Sequence, residues 1–316
     1  MADPVLIVGS LALDDIETPI GRQRDVVGGA AYYGALAASL FAPVRLVGVV
    51  GDDFPQEALG LLASRGVDLS GVETVEGGAS FRWSGRYHTD MNVRDTLDTQ
   101  LNVFADFNPV LPPQYRDSHY VFLANITPSV QLQVLDQIEP EAFVAFDTMN
   151  LWIETARDDL LKVMRRANLA LMNDAEVRQF AGDTNLVKAG EALLRTGPQY
   201  AAIKLGEYGA MLVSQRTRFT LPCCPLAHVE DPTGAGDSFA GGLMGYLAWA
   251  GCHEEETLRT ALAMGTITAS RACESFGTTA LVDTTAEHIL ERYEMLLSMT
   301  RFNPLPEDLP IISSQD

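Results

Sequence analysis

For most of its length the chain alternates between short apolar runs and helical patterns, and few architectures accept that rhythm. The runs at 5–8, 46–50, 120–123, 143–146, 169–172, 201–205 and 211–213 read as strands. Several contain no polar residue. That suits strands covered on both faces of a parallel sheet, whereas a half-exposed strand alternates. Helical patterns lie between them, at 29–41, 55–65, 129–138, 175–180 and 186–195. This repetition predicts an α/β fold: a doubly wound, mostly parallel sheet with helices on both faces. The 316 residues are expected to form one large domain, 1–316.

Two stretches leave the rhythm. Residues 77–108 alternate polar and apolar side chains without a helical period, Phe81, Trp83, Gly85 and Tyr87 standing among Arg82, Ser84, Arg86 and His88. We read a small β element projecting from the main sheet, with 15–28 contributing a partner strand. Such a flap closes over a ligand; the plainer alternative is a long solvated hairpin. Its free edges offer a pairing surface, so a homodimer through this lid is expected. Residues 301–316, rich in proline, read as a surface tail.

Charge and composition narrow the function. The net charge of −20 disfavours nucleic acid and anionic membranes as partners. No apolar run approaches the roughly 20 residues of a membrane span, and the start of the chain reads as a strand instead of a signal peptide, so a cytoplasmic location is expected. Four cysteines and five histidines show no metal-ligand spacing. An anionic ligand must therefore find local positive potential, which main-chain amides at a helix start supply.

The segment 231–242, DPTGAGDSFAGG, carries the chemistry. After it Phe239, Leu243, Tyr246, Leu247 and Ala250 recur at helical spacing and Gly251 offers a stop. A glycine-rich turn thus delivers Asp237 to the first turn of a helix. Gly234, Ala235 and Gly236 turn tightly and expose consecutive N–H groups as an anion site. A carboxylate at the same place is stabilised as an anion, a persistent base for a substrate hydroxyl. Phosphoryl transfer needs alignment and charge stabilisation above all, and an amide nest beside a base supplies both. Without further context, the same residues also read as an ordinary helix cap. Gly241 and Gly242 inside the helix point to close approach by another element or a ligand. No Gly-Lys dipeptide exists, so a P-loop is excluded, and Phe239 stands where a dinucleotide fingerprint needs its third glycine. An oxidoreductase of similar topology is thereby disfavoured.

The DPTGAGDSF segment resembles the C-terminal signature of the ribokinase/PfkB family of carbohydrate and nucleoside kinases. The N-terminal half is similar too: Gly28-Gly29-Ala30-Ala31-Tyr32-Tyr33, followed by VGVVGDDF at 47–54. The resemblance implies an ATP-dependent kinase that phosphorylates a hydroxyl of a sugar or sugar-like substrate, with a nucleoside kinase as the alternative and a non-catalytic ligand-binding relative as a third reading. It implies ATP and Mg²⁺ as cofactors, with K⁺ as a further one, and a sugar, polyol or nucleoside as partner. It further implies Asp237 as base and Gly234, Ala235 and Gly236 as the anion hole. Asp14, at the end of the first strand, holds substrate hydroxyls, and Gly28 and Gly29 let the backbone approach substrate. Asn173 and Glu176 match a tetrad that organises water around Mg²⁺ near ATP, although locally they read as a helix cap and a first-turn acid. Lys204, Gly206 and Gly209 fall near the nucleotide, and Asp231 and Thr233 near a monovalent cation. The stretch 271–277 helps to build that cation site and the adenine pocket. Tyr33 stands where many relatives carry a substrate-binding Asn, so the substrate pocket differs here. Phe81, Trp83 and Tyr33 offer either an aromatic wall or packing for the lid. Asn125 and Asp147, at strand ends on the binding edge, are expected to touch substrate. Arg82, Arg86 and Arg94 are a phosphate site or simply exposed charges on a polar flap.

Overall fold

The computed structural model describes residues 2–304; the expected tail lies outside it from 305 onward. Thirteen strands form in chain order: β1 (Val5–Val8), β2 (Ala12–Thr18), β3 (Gly21–Gly28), β4 (Val44–Gly51), β5 (Val67–Val75), β6 (Phe81–Tyr87), β7 (Arg94–Gln100), β8 (Tyr120–Leu123), β9 (Phe143–Asp147), β10 (Leu169–Asn173), β11 (Tyr200–Lys204), β12 (Ala210–Val213) and β13 (Arg218–Leu221). The helices are α1 (Ala30–Ala38), α2 (Gln56–Ser64), α3 (Pro128–Leu135), α4 (Asn150–Thr155), α5 (Arg157–Met164), α6 (Asp174–Ala181), α7 (Leu186–Leu194), α8 (Ala235–Ala250), α9 (Glu255–Ala272), α10 (Thr279–Val282) and α11 (Ala286–Thr300).

Nine strands make one sheet in the order β13-β12-β11-β10-β9-β8-β1-β4-β5, all running the same way except β12, which is antiparallel to both β11 and the edge strand β13. Successive strand residues enter opposite cores. Val5 and Ile7 pack with α1, α8 and α9, while Leu6 and Val8 pack with α3, α5 and α7. Burial on both sides is why the middles of these strands are apolar, with polar residues such as Asp147, Asn173 and Lys204 confined to the ends. The expected doubly wound architecture is the one observed.

The second sheet holds four strands in the order β3-β2-β6-β7. It begins at Ala12, so it takes in more of the N-terminal segment than the 15–28 expected, and it includes both strands of a hairpin. β2 pairs in parallel with β6, which fixes the distant 81–100 hairpin to the N-terminal one. β3 and β7 are its edges, and every residue of β7 is exposed. Among the described residues no helix is long and apolar enough to cross a membrane.

The close approach anticipated at Gly241 and Gly242 comes from protein, not ligand. A Cβ at Gly241 would overlap the Gly34 carbonyl of α1, and one at Gly242 the Thr268 hydroxyl of α9. Gly241→Ala gains about 1 kcal/mol of helix propensity but forces apart two backbones, and overpacking typically costs about 1–3 kcal/mol. A net loss is expected, seen as a lower urea midpoint with an unchanged slope. An unchanged midpoint would mean that α1 shifts freely.

Candidate active site

Chain order reverses between β1 and β8: β1 leads to β4 and β5 on one side, and β8 to β11 run the other way. Ligands of open α/β sheets bind at the carboxyl ends beside such a reversal. There Asp147 closes β9, Asn173 closes β10 and Lys204 closes β11, with Asn125 shortly after β8. The start of α8 lies against the same edge.

Gly234 caps α8 with φ 74, a conformation open chiefly to glycine, and a Cβ there would overlap the Tyr33 ring. The Ala235 N–H bonds to the Pro232 carbonyl at 3.2 Å. Ala235 therefore drops out of the expected donor set, because the turn uses its amide. The N–H groups of Gly234 and Gly236 have no partner among the described residues, and that of Asp237 turns to its own carboxylate. The Gly234 and Gly236 amides are the available donors for an anion. Asp237 is half-buried, and no other residue's side chain donates to its carboxylate. Burial pushes its pKa up to about 6; Asp147 adds to the rise, and Lys204 and Arg94 oppose it. Helix position alone had implied a carboxylate ionised under all ordinary conditions. Desolvation outweighs the dipole here.

Lys204 lies beside this turn. Its Nζ approaches the place a Gly236 Cβ would occupy, at 3.3 Å, and bonds to Asp147 Oδ2 at 2.6 Å. Burial works against the ammonium, but Asp147 and Glu176 outweigh it and hold the pKa above the ordinary lysine range. Asp147 is 3% exposed and its other oxygen accepts the Thr148 N–H. The expectation that Asp147 touches substrate gives way to this: it anchors Lys204. Asn125 is likewise engaged, accepting from Trp152 Nε1 at 3.1 Å and donating to Met149 Sδ at 3.3 Å.

Asn173 and Glu176 form a reciprocal capping box on α6, both bonds 2.8 Å, as their local pattern suggested. Burial raises Glu176 to about 7, with Lys204 opposing and Asp147 adding. Asp231 is fully buried and accepts from the N–H groups of Thr233 (2.8 Å) and Gly277 (3.1 Å). It ties the glycine-rich turn to the loop after α9, and burial raises its pKa. A cavity of about 320 Å³ opens beside that loop, lined among others by Leu226, His228, Glu230 and Glu274.

Asp14 is buried within β2, in the lid sheet, not at the end of β1. Its carboxylate lies over Gly28, where any Cβ would overlap it. Burial, then Asp231 and Asp237, raise its pKa well above the ordinary range. Gly29 caps α1 at φ 97. Tyr33, expected to line the pocket, is 1% exposed, and its hydroxyl has no partner. α1 runs beneath the turn, so the ring supports Gly234 from below. Phe81 packs on Phe104 at 5.3 Å and belongs to the lid's own core.

The lid meets the site at two points. Thr233 donates to the Tyr87 hydroxyl at 3.2 Å, linking β6 to the glycine-rich turn. The hairpin tip covers Gly206, where a Cβ would overlap Asn92, and Asn92 reaches Glu207 at 3.5 Å. Gly209, at φ 103, lets the Leu221 carbonyl come close. Nothing in the sequence singled out Tyr87 or Asn92, because their partners lie far along the chain.

A sheet edge with a half-buried carboxylate beside open main-chain donors fits a small-molecule phosphotransferase. The family model for pfkB family carbohydrate kinases matches residues 14–285, and the chain belongs to that family. The cytidine kinase of Thermococcus kodakarensis is 30% identical over 250 residues, 77% of this chain and 88% of that one. Among solved structures, the nucleoside kinase of Methanocaldococcus jannaschii superposes with a TM-score of 0.75 at 22% identity, covering 93% of this chain and 98% of that one. The Burkholderia thailandensis nucleoside kinase in complex with inosine has a TM-score of 0.76 at 21% identity, with the same coverages.

Proposed function

We propose that the protein transfers the γ-phosphate of ATP to a hydroxyl of a nucleoside or a similar free sugar. The observation that carries this reading is the Asp237 carboxylate, which no other residue's side chain holds, beside the unpartnered amides of Gly234 and Gly236. The hydroxyl proton passes to Asp237 as the oxygen bonds to phosphorus and the bond to the leaving ADP breaks. Charge on the phosphoryl oxygens is met by the N–H groups of Gly234 and Gly236. Lys204, fixed by Asp147, adds positive potential beside Gly236.

The substrate reading rests on charge and on the relatives named above. Asp14, Asp231 and Asp237 lie close enough to raise the pKa of Asp14 together with burial. A pocket of that character accepts neutral hydroxyls and repels a phosphosugar. Asp14 binds the acceptor's hydroxyls, with Gly28 and Gly29 leaving room for it, and Trp83, level with Asp14 in the β2–β6 register, borders the acceptor. ATP binding falls to Asn173, Lys204, Gly206 and Gly209, with adenine toward the cavity beside 271–277.

Mg²⁺ fits only in a loose sense. No group of three or more His, Cys, Asp or Glu side chains converges among the described residues. That suits an ion ligated mainly by phosphates and water, with Asn173 and Glu176 nearest to its waters. Bound there, it would neutralise phosphate charge. Both Asp231 oxygens and the Thr233 hydroxyl already serve the protein, so no monovalent cation enters the steps above. The exposed edges of β3 and β7 support pairing with a second copy.

Assaying ADP release over nucleosides, free sugars and phosphosugars tests the reading. Turnover is expected with a nucleoside at a kcat/KM at least about tenfold above any phosphosugar. Binding without phosphorylation of any acceptor would refute it.

A further inference from the structure

The loop between α9 and α10, residues 273–278, touches three parts of the molecule at once. Its start forms one wall of the cavity of about 320 Å³, through Glu274. Its middle reaches the glycine-rich turn: the Gly277 N–H donates to Asp231 at 3.1 Å, and the other Asp231 oxygen accepts the Thr233 N–H at 2.8 Å. The same stretch lies on the lid. A Cβ at Gly21 would stand 3.3 Å from the Phe276 ring, and one at Gly277 would overlap Val26. Gly21 and Val26 both belong to β3, which ends at Gly28 against the Asp14 carboxylate.

The loop is held unevenly. At its start each Glu274 oxygen takes a different arginine, Arg271 of α9 and Arg292 of α11, the latter at 2.7 Å. Arg271 also donates to the Ala280 carbonyl at 2.9 Å and to the Thr284 hydroxyl at 3.1 Å, so the far side of the loop is tied to the same guanidinium. Both arginine side chains are largely buried, and breaking such a cluster from one side is costly. Between these anchors the tip, Phe276 and Gly277, rests on the Asp231 bond and on β3. Phe276 itself is half-buried. A segment with few buried contacts between firm anchors is the part that opens first.

We propose that Phe276 is a positioning residue that couples nucleotide and acceptor binding by docking this loop on the lid. The proposal rests on the kinase reading above, with the nucleotide base at the cavity and the acceptor at Asp14. A nucleotide packed against the Glu274 wall restricts the tip from one side. An acceptor held at Asp14 and Gly28 fixes β3 and so restricts the tip from the other. Whichever ligand binds first bears the ordering of the tip, and the second binds more tightly for it. The gain is reciprocal by thermodynamic necessity. Phe276 lies over the end of β3 remote from Gly28, so its effect falls on the affinities and not on the transfer itself.

The experiment measures, by calorimetry on the full chain, the Kd of the acceptor turned over best in the panel above, alone and with a saturating non-hydrolysable ATP analogue and Mg²⁺. It then measures the Kd of the analogue with and without that acceptor. In the wild-type chain each ligand should tighten the other by the same factor, at least about fivefold. In Phe276→Ala that factor should fall to within about twofold of unity, while each ligand alone binds within about threefold of wild type. Its kcat with both substrates saturating should stay within about threefold of wild type. Phe276→Leu, which keeps an apolar contact with β3, should retain most of the factor. Gly21→Val drives a branched side chain into the place of the ring from the lid side, and should abolish the factor even where Phe276→Ala fails to fold. A wild-type factor of unity would overturn the proposal, and so would a wild-type factor persisting in Phe276→Ala or in Gly21→Val. Either result beside normal turnover by the wild-type chain would leave the kinase reading standing. No turnover by the wild-type chain on any acceptor would overturn that reading and the coupling with it.

Discussion

Asp237→Asn is expected to lower kcat by about 10²- to 10⁴-fold, and by more if the carboxylate also aligns the acceptor. Nucleoside and ATP binding should remain within a fewfold of wild type by calorimetry. The amide side chain cannot take the hydroxyl proton, yet it preserves the shape of the carboxylate and leaves the main-chain N–H groups at positions 234 and 236 free to bind phosphate. A rate within about tenfold of wild type would remove Asp237 from the chemistry. The same carboxylate gives the wild-type protein a pH signature. With a pKa raised by burial to about 6, it is ionised at neutral pH and protonated below that value. The kcat/KM for the acceptor should be level above about pH 6 and fall about tenfold per unit beneath it.

The second large effect is on stability. Asp147→Ala leaves the Lys204 ammonium, only 17% exposed in its side chain, without its closest partner. Breaking a buried pair from one side typically costs about 3–5 kcal/mol. We expect about 3 kcal/mol, because Glu176 remains near Lys204 and also holds its charge. The thermal midpoint should fall, and Asp147→Ala combined with Lys204→Met should lose less than the sum of the two single variants. There is a second readout. Asp147 contributes to the rise of the Asp237 pKa, so its removal should move the acid limb of kcat/KM to lower pH. An unshifted limb with normal stability would show that the two side chains do not interact in solution.

Gly234 and Asp237 announce themselves in the sequence because a left-handed turn and a helix start are local events, written within a few residues. Asn173 and Glu176 are readable as a cap for the same reason. Asp14 stands out as a candidate, but its place in the lid sheet does not: β2 pairs locally with β3, and its other side is covered by the 81–87 strand from far along the chain. Tyr33 follows the glycine pair and so reads as facing the ligand. Its burial depends on α8 crossing over α1, and nothing near Tyr33 encodes that crossing. Ala235 counts as a donor by position, whereas the turn closes through its amide.

Alone, the sequence determined the layered α/β fold, the location of the turn and the carboxylate within it. Strand burial and helix starts impose their demands on neighbouring residues, so a linear reading recovers them. Only the tertiary structure decided that Lys204 is held by Asp147, 57 residues away, and that Tyr87 reaches Thr233 across 146 residues. Those meetings follow from strand order and lid docking. They set the charge around Asp237, because electrostatic effects depend on distance and burial in space and not on separation along the chain.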